Sequence, residues 1–160
     1  MAVRNLRELS RILKKVTERL LANQTLCKLV YYNDQDPISK ADFVSTSNLL
    51  GKEIRFIPKV GPQENTKSKV VLVWSEGEKN PTNSDIVDLS LKVYVYTPFS
   101  EWIILGDELR IFYIMAEIEE TLDGKEVNGL GRLKSSGFYL DIITDELAAY
   151  RMEFTIDVFS

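Results

Sequence analysis

The residue types that most often carry out catalysis are nearly absent from this sequence. Its 160 residues include no histidine and a single cysteine, Cys27. Catalytic triads of the Ser-His-Asp or Cys-His type, His-ligated metal sites and histidine general bases are therefore excluded. Carboxylate pairs, lysine nucleophiles and Mg²⁺ sites remain compatible with the composition. On this balance we predict that the protein is not an enzyme.

The residues that could still bind a metal or a nucleotide are poorly grouped. Asp141, Asp145 and Glu146 could hold a cation, but they straddle a predicted strand end and a turn, and few ligands converge there. The Gly-Leu-Gly run at 129–131 lacks the third glycine of a dinucleotide-binding fingerprint, and no Gly-Lys-Ser/Thr phosphate loop is present. We interpret this run as a hairpin or bulge that needs positive φ. Cys27 has the character of a small buried residue at a helix end. We predict neither a metal nor a cofactor.

Length and composition indicate one domain that spans residues 1–160. Hydrophobic residues make up 44% of the chain and charged residues 28%, which is typical of a globular protein with its own core. The single cysteine fits synthesis in a reducing, cytoplasmic environment. No stretch approaches the roughly 20 consecutive apolar residues of a membrane-spanning helix, so we expect no membrane partner.

The first 23 residues predict an amphipathic helix with a basic face. One stripe of this helix is apolar, and its residues recur every three or four positions: Leu6, Leu9, Leu13, Val16 and Leu20. Six basic residues occupy the rest of the cylinder against only two acidic ones: Arg4, Arg7, Arg11, Lys14, Lys15 and Arg19. This face is either the solvated side of a core-packed helix or a docking surface for an acidic neighbour. Nucleic acid is a poorer match, because the whole chain has a net charge of −4.

The remaining elements predict an α+β fold, with a mainly antiparallel sheet on which the N-terminal helix and a central helix pack. Strict alternation over 87–96 and an apolar run over 70–74 indicate two strands. We expect them to pair antiparallel, because the connection between them is too short for a crossover. A helix over 107–122 follows, with Asp107 as its N-cap and Gly124 near its C-cap. Three further strands over 132–135, 138–144 and about 150–158 complete a sheet region over 70–160. The run at 26–32 suits a short strand or a helix end.

Two polar connections, 33–50 and 58–69, are long for a compact domain, and four aromatic residues cluster near the end of the long strand. Ordering such loops costs entropy that a neighbouring protein could offset. The aromatic residues serve either as core and rim packing or as interface anchors. We therefore predict an interface made of residues from the basic helix, the aromatic cluster and the second polar connection: Arg4, Arg7, Arg11, Tyr94, Tyr96, Phe99, Trp102, Lys67 and Lys69.

The order of these elements resembles the tail terminator and neck proteins of tailed bacteriophages. The resemblance lies in the N-terminal amphipathic helix and the long loop, then in the runs LSLKVYVYTPFSEW and LRIFYIMAEIEETLDG, and finally in a terminal meander that ends in YRMEFTIDVFS. It covers nearly the whole chain at the level of element order. The loops 33–50 and 58–69 are longer than those of a minimal member.

The resemblance implies a virion protein of the tail or neck, assembled in the host cytoplasm. Such a protein forms a ring, commonly a hexamer, that caps the tail tube protein and joins it to the head connector. DNA is then only cargo that passes through the lumen. Another neck or head-completion adaptor, a monomeric adaptor or regulator, and a non-viral small-ligand module or enzyme built on carboxylates such as Glu117 and Asp141 are the alternatives.

Overall fold

The structure is a computed structural model that describes residues 3–56, 67–127 and 131–158. Its helices are α1 (Leu6–Leu21), α2 (Gln24–Tyr31) and α3 (Arg110–Leu122), and its strands are β1 (Ile54–Arg55), β2 (Lys69–Lys79), β3 (Ile86–Pro98), β4 (Ile103–Ile104), β5 (Glu108–Leu109), β6 (Gly131–Ile143) and β7 (Leu147–Val158). Short 3₁₀ turns occupy Ser47–Leu49 and Phe99–Glu101. Within the described ranges, no helix is long and apolar enough to cross a membrane.

Five of the strands form one sheet in the order β1-β2-β3-β7-β6. The β1–β2 pair is parallel and the other three pairs are antiparallel. One cross-strand row runs from Leu72 through Val93 and Met152 to Phe138. The predicted α+β class and the antiparallel pairing of the two central strands are confirmed. β4 and β5 form a separate small hairpin.

The period-two pattern of β3 places one row of its side chains beneath the helices. Leu89, Leu91, Val93 and Val95 are buried in the main core, which the predicted apolar stripe of α3 also joins. That stripe consists of Ile111, Ile114, Met115, Ile118 and Leu122. α3 packs on β3 and β6, and the Trp74 indole donates a hydrogen bond to the Leu9 carbonyl of α1 (3.0 Å). The helices therefore cover one face of the sheet, as the sequence predicts.

The structure decides between two interpretations of the run at 26–32, which is a helix end and not a strand, and it corrects the start of α3. The run at 26–32 lies mostly in helix α2, whose N-cap Asn23 accepts a hydrogen bond from the Leu26 amide (3.0 Å). The Asn23 side chain also donates to Glu117 and Thr121 on α3, so this capping residue joins two helices. α3 begins at Arg110, and Asp107 is not its N-cap. Asp107 instead lies at φ 57° in the turn between β4 and β5.

The buried stripe of α1 and the strands near the C-terminus also differ from expectation. Leu6 is 66% exposed, and Ile12 is buried with Val16 and Leu20. The predicted strands 132–135 and 138–144 are one strand, β6, because register shifts near Gly137 absorb the irregularity without ending the pairing with β7. Gly137 has φ 148°, which a residue with a Cβ rarely adopts. Most of the predicted hairpin or bulge at 129–131 lies outside the described residues.

The 33–50 connection is ordered against its own domain, although the sequence suggested that a neighbour would order it. The Gln24 amide bonds the backbone of Phe43 in both directions (2.9 and 3.1 Å). The Thr46 hydroxyl donates to the Leu21 carbonyl (2.6 Å). These hydrogen bonds offset the entropy cost of ordering a polar connection that buries little apolar surface. The other long connection, 58–69, lies largely outside the described residues.

Candidate interaction surfaces

A buried arginine at the start of α3 holds the long connection in place. Arg110 is fully buried, and its guanidinium donates to the carbonyls of Glu101 (2.7 Å), Leu29 (2.7 Å), Tyr32 (2.8 Å) and Asp34. Burial lowers the pKa of the guanidinium, and the nearby acids oppose that shift. Three carbonyls from 29–34 and the carbonyl of Glu101 thus converge on one cation, which is how an irregular backbone can be buried without orphaned acceptors. Since Arg110 has no exposed surface and these four bonds join parts of the chain, the arrangement is structural.

The Glu101 carboxyl lies beside this anchor and is also buried. One of its oxygens accepts from the Ser68 amide (3.2 Å) and hydroxyl (3.0 Å), whereas the other has no hydrogen-bond partner. Burial raises the pKa of the Glu101 carboxyl, although the Ser68 hydrogen bonds and the Arg110 charge act in the opposite direction. The net shift shows that desolvation of the charged form outweighs its partners.

We expect Glu101 to make folding less favourable as the pH rises. Because its folded-state pKa is raised, its stabilising contribution is complete below the unfolded pKa of about 4.3 and is lost as the pH passes through the folded pKa. In Glu101→Gln an amide oxygen can still accept from Ser68. The free energy of unfolding of the wild type minus that of the variant should therefore fall with pH. Urea unfolding over a pH series measures this difference, with the exposed Glu119→Gln as control. A difference that rises with pH would contradict the assignment.

The two lysines of the predicted interface set are held by the fold. Lys69 is buried, and its ammonium donates to the Lys67 carbonyl (3.5 Å). The Lys67 ammonium lies 4.8 Å from the centre of the Tyr31 ring and 3.6 Å from a Glu53 carboxylate oxygen. Lys67 is half-buried. The structure therefore places both lysines in intramolecular contacts at the start of β2.

The predicted aromatic cluster is divided into two pairs. Tyr94 and Tyr96 stack with ring centroids 6.4 Å apart and pack with Val71 on the face of the sheet that the helices leave uncovered. Phe99 and Trp102 contact each other after β3, at 5.3 Å, and Trp102 packs against the main core. Among the described residues, no ring contact joins the two pairs. Tyr96 is buried, so Tyr94 and Phe99 are the more accessible members.

The basic side chains of the first helix are exposed as the sequence predicts. Arg7 and Arg11 face solvent at the N-terminal end of α1, and Arg4 is exposed just before its N-cap Asn5, because the helix begins at Leu6 and not at the start of the predicted range 1–23. Within the described ranges none of the three forms an ion pair. Exposed acidic residues occupy α3 and the turn after it, among them Glu119, Glu120 and Asp123. The chain therefore presents surfaces of opposite charge on two different helices.

The sequence interpretation missed an apolar sheet edge. β6 is an edge strand, and residues 123–127 cover only its first part through backbone bonds to Gly131 and Leu133 and a side-chain bond to Ser135. In the described part of the chain, no backbone group other than those of β7 pairs with residues 137–143. Phe138 and Leu140 are 57% and 52% exposed. The apolar run GFYLDII was the available signal, but the sequence does not show that its strand lies at an edge.

Two of the acidic candidates for metal or substrate binding, Asp141 and Glu117, are engaged within the chain. Asp141 pairs with Arg151 (3.0 Å), and Glu117 accepts from Asn23 (2.9 Å). Within the described residues, no group of three or more Cys, Asp or Glu side chains is placed to hold a metal ion. The Cys27 thiol is buried, and burial raises its pKa to about 11, so it is a poor nucleophile.

Comparison with known proteins places the chain in a family. No curated protein sequence matches it. The family model YomW matches residues 23–156, which include α2, the whole described sheet up to Ile156 and α3 but not α1. YomW is named after a gene product of the SPβ region of a Bacillus phage, which indicates a phage-associated protein. Because the match spans well over half of the sequence, the chain belongs to the YomW family.

Proposed function

We propose that the protein is a phage tail terminator, a ring of identical subunits that caps the tail tube and joins it to the head connector or neck. The phage association of the YomW family and the element order of the fold support this proposal. Among the described residues, the buried Arg110 and Glu101 bond other groups of the chain, which is consistent with a structural role. The single observation that carries the proposal is the separation of exposed basic and acidic surfaces on α1 and α3.

A ring needs contacts between unlike surfaces of neighbouring subunits. Arg4, Arg7 and Arg11 offer the basic surface, and Glu119 and Glu120 offer an acidic one. Complementary charge of this kind steers subunits together and fixes their relative orientation. The net charge of −4 also suits a conduit, because an acidic wall repels the DNA phosphates that pass through it.

Charge reversal tests this contact. We expect Arg4→Glu/Arg7→Glu/Arg11→Glu to weaken assembly with the tail tube protein by at least about tenfold at low salt, because like charges then meet across the contact. The effect should shrink as salt shortens the Debye length to about 3 Å at 1 M. Light scattering and electron microscopy of the mixture measure ring formation, and circular dichroism checks the fold.

The matched control reverses three exposed basic residues outside the two charged surfaces, Lys52→Glu/Arg132→Glu/Lys134→Glu. This control should assemble like the wild type. The proposal fails if the wild type forms no ring with the tail tube protein present, or if the two triple variants behave alike. Binding to the connector without binding to the tube would favour the other neck position.

A further inference from the structure

We propose that the open half of β6, residues 137–143, is a self-association edge that pairs antiparallel with the same strand of a second copy in the free protein. Alternate residues of an edge strand turn their N–H and C=O groups outward, ready to bond another strand. Residues 123–127 form hydrogen bonds with the outward backbone groups of β6 only as far as Ser135. On the opposite side of the sheet, β1 pairs only with Val70 and Val71 of β2. The exposed end of β2 carries Glu76, Glu78 and Lys79, so it is charged where 137–143 is apolar.

The side chains of this segment lack the features that keep natural edge strands apart. Lysine and proline are absent from 137–143. The segment carries one charge, Asp141, and Arg151 neutralises it within the chain at 3.0 Å. A second copy therefore brings no unpaired like charge to the contact, although the whole chain has a net charge of −4.

The segment is apolar on both faces of the sheet. Phe138 contacts Phe112 of α3 and Tyr150 of β7, at ring distances of 6.3 and 6.1 Å, on the helix-covered face. Tyr139 lies against the Arg151 guanidinium on the opposite face, 5.0 Å from ring centre to guanidinium carbon. An ideal partner strand must likewise be apolar on both faces and nearly uncharged. Residues 137–143 of a second copy meet that requirement.

The exposed area also fits a reversible dimer. We define the edge patch as the exposed large apolar residues of this segment and the adjoining helix: Phe112, Phe138, Tyr139, Leu140, Ile142 and Ile143. At about 150–250 Å² for a whole aromatic side chain, their exposed fractions correspond to roughly 500 Å². Two copies then bury roughly 1,000 Å², at the lower limit for a specific interface. A patch of this size is also near the maximum that monomers usually expose.

This inference concerns the purified chain and does not rest on the tail terminator proposal. A sheet edge can pair with only one strand at a time. The dimer and any strand that a tail protein adds at this edge therefore exclude each other. The two proposals also differ in their response to salt, because an apolar contact does not weaken when charges are screened.

Sedimentation velocity of the wild type alone, from about 1 to about 300 μM, covers micromolar dissociation constants and should show concentration-dependent dimers. Leu140→Lys should raise the dissociation constant at least about 100-fold, because two-fold symmetry places each new charge in the interface twice. Ile143→Lys should act in the same direction. Both positions are exposed, at 52% and 65%, so the monomer should keep its circular dichroism and thermal midpoint.

The matched control is Val44→Lys, an equally drastic change at a fully exposed residue outside β6. It should dimerise like the wild type. A wild type that is monomeric throughout overturns the proposal. So does a dimer that survives both lysine variants, or one that dissociates when salt rises from about 0.1 to about 1 M.

Discussion

Replacing Arg110 by methionine should lower the free energy of unfolding by about 3–5 kcal/mol, the usual cost of removing one partner from a buried charged network. Methionine fills much of the same volume but donates no hydrogen bond. The carbonyls of Leu29, Tyr32, Asp34 and Glu101 would then lose their shared donor. The buried Glu101 carboxyl would also lose its nearest compensating charge. Since domains of this size are stable by only about 5–15 kcal/mol, the variant should lose from about a fifth of its stability to nearly all of it.

Urea unfolding at neutral pH measures this loss, and Arg132→Met, at an exposed position of β6, is the control. The control should change stability by no more than about 0.5 kcal/mol. The double variant Arg110→Met/Glu101→Gln should be less destabilised than the sum of the single changes, because it removes the uncompensated carboxylate. A loss below about 1 kcal/mol for Arg110→Met would show that water or backbone movement satisfies the four carbonyls.

Replacing Phe154 by alanine should cost about 3–5 kcal/mol, the range for a phenylalanine removed from a close-packed core. Phe154 has no exposed surface and lies in β7 between Leu91 of β3 and Ser135 of β6. Its ring belongs to the core between the sheet and the helices. The cavity would lie at the centre of the sheet, where neighbouring strands cannot collapse to fill it.

Thermal and urea unfolding check this loss against Phe99→Ala, which removes the same ring from a position that is 42% exposed. The control should lose markedly less stability, since much of its ring is already in water. Equal losses for both variants would mean that burial in the structure does not describe the packing of β7.

The fold was predictable wherever a pattern reports burial directly. The alternation of Leu89, Leu91, Val93 and Val95 shows a strand with one covered face, and the spacing of Ile111 to Leu122 shows a helix with one buried stripe. Both patterns depend on local periodicity, so they are visible without knowing the neighbours. The antiparallel pairing followed because the short connection between β2 and β3 excludes a crossover.

Features that depend on distant contacts were not predictable. Arg110 donates hydrogen bonds to carbonyls 76 to 81 residues earlier in the chain, and no pattern in the neighbouring sequence predicts partners so far away. α2 is short, and its cap at Asn23 also binds Glu117, 94 residues away. The glycine at 137 suggested that the strand ends there. β6 continues because its residues on both sides of Gly137 pair with β7.

The same distinction between local periodicity and distant contacts applies to the candidate surfaces. Helical spacing indicated correctly that Arg7 and Arg11 would be exposed, because charged residues off the apolar stripe face solvent. Arg4 is exposed as well, although it precedes the helix. Their role in assembly remains a proposal. Lys69 and Tyr96 are buried because their strands are paired on both sides, which depends on strand order. The apolar segment of β6 was recognised as a strand, but its position at the edge follows only from the topology.

The buried thiol of Cys27 makes the protein convenient to label. With a pKa of about 11, only about one Cys27 thiol in 10⁴ is ionised at pH 7, and burial shields even that fraction from reagents. A cysteine introduced at an exposed position such as Lys134 would react far faster with a maleimide dye. Fluorophores can thus be attached at chosen exposed positions while Cys27 is kept, and energy transfer between labelled copies would report whether and how they associate.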